Sequence, residues 1–236
     1  MAAAADVETL FASLGGTFVT PAAELASRLN RVRALICDWD GVFNSGAKGN
    51  GVSSTYSEPD SMGTNLLRYA LWRANGGELP VAAVVSGADN PSAQGFARRE
   101  HFQSVYTGVK DKRWVVDALC ARYDVAPDQV AAIFDDVNDF GLAARCGVRV
   151  LVRRNATPLA RDYAVRNGLC DYVTASTGDR YAVREACELL MGLLGQFDAV
   201  VASRIAWDAE YGRYFAAREA QMTEVVDRAV EGGDRS

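Results

Sequence analysis

Between residue 32 and about residue 195, short apolar runs alternate with segments of helical periodicity, and this alternation is the strongest constraint on the fold. The predicted strands are Val32–Cys37, Pro80–Val85, Ser104–Tyr106, Val130–Phe134, Val148–Val152 and Asp171–Val173. The predicted helices are Ser61–Asn75, Pro91–His101, Lys112–Tyr123, Phe140–Cys146, Pro158–Asn167 and Ala182–Leu194. Strands and helices that alternate through short connections form a parallel sheet covered on both faces. The sequence therefore predicts an α/β fold, a three-layer doubly wound parallel sheet.

Two flanking segments fall outside this alternation. Residues 1–20 are predicted to be an N-terminal extension and residues 21–195 the main domain. Residues 196–236 are predicted to be a charged, alanine-rich helical tail that is disordered after about residue 228. An apolar stripe on this tail contains the aromatic residues Phe197, Trp207, Tyr211, Tyr214 and Phe215. Such a stripe needs a surface to bury against, either on its own domain or on a neighbouring subunit.

The segment Val42–Ser57 interrupts the alternation near the first strand. It contains Gly46, Gly49 and Gly51 together with several serine and asparagine residues, a composition that argues against a helix. The segment is predicted to form a β-hairpin or flap beside Asp40.

Composition and charge narrow the classes of partner. The net charge is −5 and no dense cluster of lysine and arginine occurs, which argues against a nucleic-acid partner. No apolar run approaches ~20 residues, so no membrane span is predicted. The N-terminus lacks the basic start of a secretion signal, and the five widely spaced cysteines form no C-x-x-C pair. These features predict a cytoplasmic protein whose cysteines are buried in a reducing environment.

The single histidine, His101, argues against two kinds of catalytic site. One histidine is too few for a His-rich zinc site, and it makes Ser-His-Asp chemistry an unfavourable interpretation. His101 closes a predicted helix among charged residues, and it is predicted to lie at the surface.

Two carboxylates, Asp38 and Asp40, follow the first predicted strand. A buried strand brings them to its carboxyl end, where open α/β sheets bind ligands. Successive strand side chains point in opposite directions, so the chain must bend after Asp38, and Gly41 permits that bend. Two neighbouring carboxylates repel each other unless a cation lies between them or one is protonated. The pair predicts a divalent metal ion, with one aspartate attacking a phosphorus atom and the other moving the proton.

Three more polar clusters follow predicted strands. Ser86-Gly87 offers a hydroxyl group and exposed backbone N–H groups, which can hold phosphate oxygens. Lys110-Asp111-Lys112 begins a helix, and a lysine there can neutralise a nucleophilic carboxylate and a phosphoryl group together. The third cluster gathers the acids Asp135, Asp136 and Asp139, and oxygen ligands of this kind select Mg²⁺.

The order of these four clusters resembles the haloacid dehalogenase superfamily, in which Asp-x-Asp, Ser or Thr, Lys and an acidic pair follow successive strands. The resemblance covers roughly residues 32–195. It implies that Asp38 is the nucleophile that becomes an aspartyl phosphate. Asp40 would protonate the leaving alkoxide and then activate water. Ser86 and Gly87 would hold the phosphoryl oxygens, and Lys112 would counter the charge on Asp38 and the phosphate.

The same resemblance implies a bound Mg²⁺ ion. Its ligands would be Asp38, Asp135 and the backbone carbonyl of Asp40, with Asp136 and Asp139 ordering its water shell. Lys110 is the alternative to Lys112 as the motif lysine. Lys112 is preferred because Gly108-Val-Lys-Asp-Lys112 resembles the Gly-x-x-Asp-Lys run of one branch of the superfamily.

That branch contains phosphatases of 3-deoxy-octulosonate 8-phosphate and of nine-carbon sugar-acid phosphates. The resemblance to the branch rests on the segments Ile36–Val42, Glu58–Gly63, Asp135–Asp139 and Ala182–Glu188. It implies a Mg²⁺-dependent phosphomonoesterase acting on a phosphorylated sugar acid. The residues predicted to bind the substrate are Gly41, Gly87 and Asp60.

The spacing of the motifs predicts that no cap domain is inserted. Only the 47 residues 39–85 lie between Asp38 and Ser86, and only the 22 residues 113–134 lie between Lys112 and Asp135. An independent domain usually needs ~50 residues beyond its connections. Members of the branch exclude water by forming tetramers in which flaps and C-terminal tails reach a neighbour's site. A homo-oligomer, here a tetramer, is therefore expected.

Two alternative functions remain open from the sequence. One is a phosphatase for another small sugar phosphate, and the other is a non-catalytic relative that serves as an assembly platform. Asp40 argues against the second, because a non-catalytic relative does not need a proton-transfer carboxylate. The branch usually has arginine after its Ser-Gly pair, whereas Ala88 stands here. The cations expected to compensate are Arg153, Arg154 or Arg213.

Overall fold

The structure is a computed structural model that describes residues 3–49 and 54–228. Its strands are β1 (Thr17–Phe18), β2 (Ala34–Asp38), β3 (Val81–Val85), β4 (Ser104–Thr107), β5 (Val130–Phe134), β6 (Val148–Leu151), β7 (Tyr172–Val173) and β8 (Glu224–Asp227). Its α-helices are α1 (Ala4–Ser13), α2 (Ala22–Leu29), α3 (Glu58–Ala74), α4 (Pro91–Arg99), α5 (Arg113–Tyr123), α6 (Phe140–Ala143), α7 (Pro158–Arg166), α8 (Ala182–Leu193), α9 (Phe197–Ala206) and α10 (Ala209–Glu219). Short 3₁₀ turns lie at Pro127–Gln129, Val137–Asp139 and Gly178–Arg180.

The strands form one sheet in the order β1–β7–β6–β5–β2–β3–β4–β8. Every neighbouring pair is parallel except β1 and β7, which are antiparallel. β3 lies on one side of β2 and β5 on the other, so the strand order reverses at β2. Open α/β sheets bind ligands beyond the carboxyl ends of the strands at such a switch point. The predicted doubly wound parallel sheet is confirmed.

Side chains of the central strands alternate between two separate apolar cores. Leu35 and Cys37 of β2 enter the core shared with α1–α4 and α8–α10. Ala34 and Ile36 enter the core formed with α5, α6 and α7. Because β2 is buried on both faces, its apolar run is continuous, as expected for the middle of a parallel sheet.

The six predicted strands and six predicted helices are all present, with ends that differ by up to three residues from the prediction. Four further elements, α1, β1, α2 and β8, were not predicted. α1 packs against α2 and α8, and β1 pairs with β7. Residues within the predicted N-terminal extension therefore contribute to the core and to the sheet.

The predicted β-hairpin is not seen in the described residues of the segment Val42–Ser57. Residues 42–49 and 54–57 form turns and irregular structure without strand pairing, and residues 50–53 lie outside the described part of the chain. The segment still lies beside Asp40. The Nζ atom of Lys48 is 3.0 Å from Oδ2 of Asp40, and the hydroxyl group of Ser54 donates to Oδ1 of Asp40 at 3.3 Å.

The segment predicted to be a helical tail contains two helices, α9 and α10. They are followed by a strand that was not predicted, β8, which pairs with β4. Tyr211 and Tyr214 are buried against α3, where the hydroxyl group of Tyr214 donates to the backbone oxygen of Asn65 at 2.9 Å. The aromatic stripe therefore packs largely on its own domain, although Trp207 remains 51% exposed. The predicted disorder after residue 228 falls on residues that lie outside the described part of the chain.

The sequence predicts no membrane span, and the lengths and apolar character of the described helices can be compared with that prediction. None of them is by itself long and apolar enough for such a span, and only α8 and α9 together, bent by 109°, match one in length and composition. α8 is a core helix, with eight of its residues buried.

His101 differs from the prediction of a surface residue. It follows the end of α4 and is half-buried. Its backbone φ of 53° lies in the left-handed region of conformational space. Its Nδ1 atom lies 3.1 Å from the backbone oxygen of Gln221, and its Nε2 atom lies 3.2 Å from Glu219. His101 therefore contacts the segment between α10 and β8, which sequence patterns did not connect to it. The described cysteines are free, and four of the five are buried.

Candidate active site

The carboxyl ends of β2, β3, β4 and β5 meet at one edge of the sheet because their registers are aligned. Asp38 at the end of β2 pairs with Val85 of β3, and Cys37 pairs with Ile133 of β5. A cavity of about 400 Å³ opens at this edge. The charged residues that line it are Asp38, Asp40, Lys48, Lys110, Lys112, Asp135, Asp136, Asp139 and Arg154. Asp38, Lys112 and Asp139 are buried.

Lys112 joins two buried carboxylates in this cavity. Its Nζ atom donates to Oδ1 of Asp38 at 2.5 Å and also to Oδ1 of Asp139. Burial opposes the positive charge of Lys112, but the combined attraction of Asp38 and Asp139 outweighs it and raises the lysine pKa above its usual value. Lys110 instead lies exposed and donates to the backbone oxygen of Gly87 at 2.9 Å. The structure thus brings Lys112, and not Lys110, to Asp38.

The carboxylates of Asp38, Asp135 and Asp139 form a compact buried group. One oxygen of each lies within 4.8 Å of the others. Burial raises the pKa of Asp38 well above its usual range, and the charge of Asp139 raises it further, whereas Lys112 lowers it. Burial likewise raises the pKa of Asp135 to about 7, with Arg154 opposing the shift. Three acids at this spacing are destabilised by mutual repulsion, which a bound cation would relieve.

The carboxylate of Asp135 is buried and lies beside the guanidinium group of Arg154. Its Oδ2 atom is buried and accepts no hydrogen bond, although Nε of Arg154 lies 2.6 Å away as an ion-pair partner. The guanidinium group of Arg154 also reaches Asp136, at 3.6 Å, and donates to the backbone oxygen of Ser45. Buried carboxylate oxygens of this kind suit Mg²⁺.

Gly41 allows the close approach of the β2 loop to this group. Its φ is +90°, a region that L-residues with side chains rarely adopt, and an added Cβ atom would lie 2.1 Å from Oδ2 of Asp135. Asn44 supports the same turn, because its side-chain oxygen accepts from the backbone N–H of Gly46 at 2.9 Å. The predicted bend after Asp38 therefore exists, and only glycine fits at its centre. Gly41 thus has a backbone role in the turn, in addition to the predicted role in substrate binding.

The side chain of Asp40 lies outside the three-carboxylate group. It lines the cavity but is held by Lys48 and Ser54, as described above. Asp139 takes the third place in the group, although the sequence predicted that it would only order water around the metal. The predicted metal contact of Asp40 through its backbone carbonyl does not require its carboxylate.

Ser86 and Gly87 form the turn after β3. The backbone N–H of Ser86 donates to Tyr106 at 2.8 Å, and its hydroxyl oxygen accepts from the backbone N–H of Ala88 at 3.4 Å. Ser86 is buried beneath the turn, whereas Gly87 and Ala88 line the cavity.

Asp60, predicted to bind substrate, has its carboxylate engaged within the protein. The carboxylate is fully buried and accepts from the hydroxyl group of Ser57 at 2.6 Å and from the backbone N–H of Arg184 at 2.9 Å. Asp60 therefore joins the start of α3 to α8. It borders a neighbouring cavity of about 210 Å³ and not the cavity of the carboxylate group.

Sequence reasoning missed two contributions to this site. Arg154 was considered only as a partner of the substrate, yet it pairs with Asp135. The direct contact between Asp139 and Lys112 was also missed. The signal for Asp139 was its place in the acidic cluster after β5, four residues beyond Asp135, where the structure has the 3₁₀ turn Val137–Asp139.

Comparison with known proteins shows that this chain is similar to phosphatases in sequence and in fold. The chain is 30% identical over 172 residues to the 3-deoxy-D-manno-octulosonate 8-phosphate phosphatase KdsC of Yersinia pestis, an alignment that covers 71% of this chain and 84% of that protein. A Legionella pneumophila protein assigned to the haloacid dehalogenase superfamily, subfamily III A, superposes with a TM-score of 0.64 at 27% identity, covering 78% of this chain and 94% of that one. No family model matches the sequence.

A third relative shows the same fold. It is the 3-deoxy-D-manno-octulosonate 8-phosphate phosphatase of Moraxella catarrhalis, solved in complex with a magnesium ion, a phosphate ion and a KDO molecule. It superposes with a TM-score of 0.63 at 22% identity, covering 76% of this chain and 97% of that one.

The parallel sheet with aspartates at its switch point defines the class of protein as a hydrolase of the haloacid dehalogenase type. Within that superfamily, the chain belongs to the KdsC-like family of 3-deoxy-D-manno-octulosonate 8-phosphate phosphatases. The resemblance inferred from the sequence is thereby confirmed.

Proposed function

We propose that this protein is a Mg²⁺-dependent phosphomonoesterase. Its substrate would be a phosphorylated sugar acid, either similar to 3-deoxy-octulosonate 8-phosphate or a nine-carbon sugar-acid 9-phosphate. The observation that carries the proposal is the position of the Asp38 carboxylate. It lies 2.5 Å from Lys112 and within 4.8 Å of the ligand oxygens of Asp135 and Asp139.

Asp38 is the proposed nucleophile. One of its carboxylate oxygens would attack phosphorus to form an aspartyl phosphate, as the bond between phosphorus and the sugar oxygen breaks. An attacking carboxylate must be ionised, but burial and the charge of Asp139 both favour its protonated form. Lys112 acts in the opposite direction, and its ammonium group would also offset charge on the phosphoryl group in the transition state.

Asp40 is the proposed acid and base. It would protonate the departing sugar oxygen and then take a proton from the water that cleaves the aspartyl phosphate. Its carboxylate borders the cavity and is less buried than Asp38, so it can exchange protons with a substrate or a water molecule. Ser54 and Lys48 would hold it in position between these two steps.

The turn after β3 is proposed to hold the phosphoryl oxygens. Gly87 lines the cavity beside Ala88, so the backbone of the turn borders the space that a phosphoryl group would enter. The hydroxyl group of Ser86 lies beneath this turn and stabilises it through the N–H of Ala88.

Asp38, Asp135 and Asp139 are the residues that would hold Mg²⁺, together with the backbone carbonyl of Asp40. Their chemistry fits the ion, since all are oxygen ligands and one oxygen from each of the three carboxylates lies within 4.8 Å of the others. When bound, the metal would neutralise the carboxylates and orient the phosphoryl group. The Moraxella relative, which binds a magnesium ion, shares this fold.

A phosphatase screen tests the proposal. The purified protein would be assayed with Mg²⁺ against eight- and nine-carbon sugar-acid phosphates, neutral sugar phosphates and a small aryl phosphate. We expect the highest kcat/KM for a sugar-acid phosphate and loss of activity in excess chelator, with recovery on adding Mg²⁺. Preference for a neutral sugar phosphate would favour the alternative substrate, and absence of activity on every ester would favour the non-catalytic alternative.

A further inference from the structure

Among the described residues, four cationic side chains line the cavity of the carboxylate group, and three of them are already paired with acids. Lys112 contacts Asp38 and Asp139. The other two paired cations are Lys48, which contacts Asp40, and Arg154, which contacts Asp135 and Asp136. Each acid that lines the cavity therefore has a cationic partner.

The fourth cation, Lys110, has no acidic partner among residues 3–49 and 54–228. Its Nζ atom donates to the backbone oxygen of Gly87 at 2.9 Å, which places the ammonium group over the turn after β3. The neighbouring acid Asp111 is held by Arg113, whose guanidinium group lies 2.7 Å from it. Lys110 is exposed to solvent and borders the cavity beside Ala88, which carries no charge. An anion entering the cavity can reach Lys110 without breaking an ion pair.

A phosphorylated sugar acid carries two anionic groups, and the phosphoryl group must face Asp38. Its carboxylate then enters a cavity lined by five aspartates, where it is repelled unless it meets a cation. Contact with Lys48 or Arg154 would compete with their existing acidic partners. We propose that Lys110 is the specificity-determining residue that binds the substrate carboxylate. This inference rests on the proposed function and attributes the preference for a sugar acid to one side chain.

The arginines expected from the sequence to fill this role are placed differently. Arg153 donates to the backbone oxygens of Thr174 and Gly15, so it holds the β6 end to neighbouring loops. Arg213 lies on α10 and is not among the residues that line the cavity. Arg154 lines the cavity but is engaged by two aspartates.

The test compares two substrates that differ only in the carboxylate. One is 3-deoxy-octulosonate 8-phosphate, and the other is the same sugar phosphate with its carboxylate reduced to an alcohol. For Lys110→Ala we expect kcat/KM on the acid to fall about 10- to 100-fold, mainly through KM, the loss typical of one charge-assisted hydrogen bond. The loss on the reduced substrate should be at least tenfold smaller. Lys110→Arg should restore most of the preference for the acid.

Lys48→Ala is the matched control, because Lys48 lines the same cavity but pairs with Asp40. It should reduce turnover of both substrates by similar factors. Equal losses for Lys110→Ala on both substrates would show that Lys110 contacts the phosphoryl group and would overturn the inference. A wild-type protein that hydrolyses both substrates without preferring the acid would overturn it while leaving the phosphatase activity intact. If wild type hydrolyses neither substrate nor any other ester, the proposed function fails, and this inference fails with it.

Discussion

The Nζ atom of Lys112 lies 2.5 Å from Oδ1 of Asp38, although the two residues are 74 positions apart in the sequence. β3 lies between the strands that precede them, so Lys112 reaches across the end of one strand to meet the carboxylate. A parallel sheet makes this possible because the carboxyl ends of its strands share one edge. The pair couples the proposed nucleophile to its counter-charge.

Asp38→Asn should remove nearly all phosphatase activity. The amide is close in size to the carboxylate but cannot form an aspartyl phosphate, so the barrier should rise by about 7 kcal/mol or more. Single-turnover and steady-state assays on the best substrate would measure the loss. Circular dichroism would confirm that the variant is folded. Residual activity above about 1% of wild type would contradict a covalent mechanism through Asp38.

Lys112→Met should destabilise the metal-free protein. The change leaves Asp38 and Asp139 buried without their shared cation, and removal of one partner of a buried ion pair costs about 3–5 kcal/mol. Urea unfolding in excess chelator would measure the free energy of unfolding. Lys110→Met is the matched control, because Lys110 is exposed, and its effect should stay within about 0.5 kcal/mol. Similar effects for both lysines would contradict the assigned burial of the Lys112 charge.

The parts of the fold that could be predicted from the sequence are those whose own residues show an apolar run or a helical pattern. β5 matches its predicted range because Val130–Phe134 is buried on both faces and reads as a continuous apolar run. β8 could not be predicted in this way. Glu224–Asp227 is only partly buried and becomes a strand because it pairs with β4, far away in the sequence. The two residues of β1 are too few to carry a periodic pattern.

The same distinction between local and distant sequence signals applies to the candidate site. The four polar clusters could be placed at one sheet edge because each follows a strand, whose direction is a local property. Which oxygen meets which cation depends on side chains from distant segments. The contacts of Asp139 with Lys112 and of Asp135 with Arg154 are of this kind. The contact of Asp60 with the backbone N–H of Arg184, on the distant helix α8, is also of this kind.

The stability of the metal-free protein should fall as pH rises from about 4 to about 7. Burial raises the pKa of Asp135 to about 7, above the ~3.9 of an unfolded aspartate. The stability that its protonated form contributes is therefore fully present below about pH 4 and is lost as pH rises through 7. The slope from this one proton should be up to about 1.4 kcal/mol per pH unit. Urea unfolding between pH 4.5 and 8 in chelator would measure it.

Asp135→Asn provides the control for this pH dependence. The asparagine cannot ionise, so the difference in free energy of unfolding between wild type and variant should change between pH 4.5 and 7 and level off above 7. Saturating Mg²⁺ should reverse the trend in wild type, because the metal binds ionised carboxylates more strongly as pH rises. A pH-independent difference between the two proteins would contradict the assigned ionisation of Asp135.

The C-terminal segment should prove necessary for folding of the main domain. Tyr214 is fully buried against α3, so Tyr214→Ala should lower the free energy of unfolding by about 3–5 kcal/mol. Ile205→Ala is the control on the preceding helix. Its side chain is 79% exposed, and its effect should be within about 0.5 kcal/mol. A cost for Tyr214→Ala below about 1 kcal/mol would show that α10 is dispensable for stability.

Truncation of the tail is consequently a poor test of the predicted tetramer, since it would remove core residues along with any interface. The exposed apolar residues of the tail, Ile205 and Trp207, offer a sharper test. If they form a contact between subunits, Ile205→Asp should shift the protein to a smaller assembly in light scattering, because the contact would bury an unpaired charge. Leu159→Asp on α7 is the control, since Leu159 is 82% exposed on the opposite face of the sheet. A monomeric wild-type protein would contradict the predicted oligomer, and a tetramer unchanged by Ile205→Asp would exclude this face as its interface.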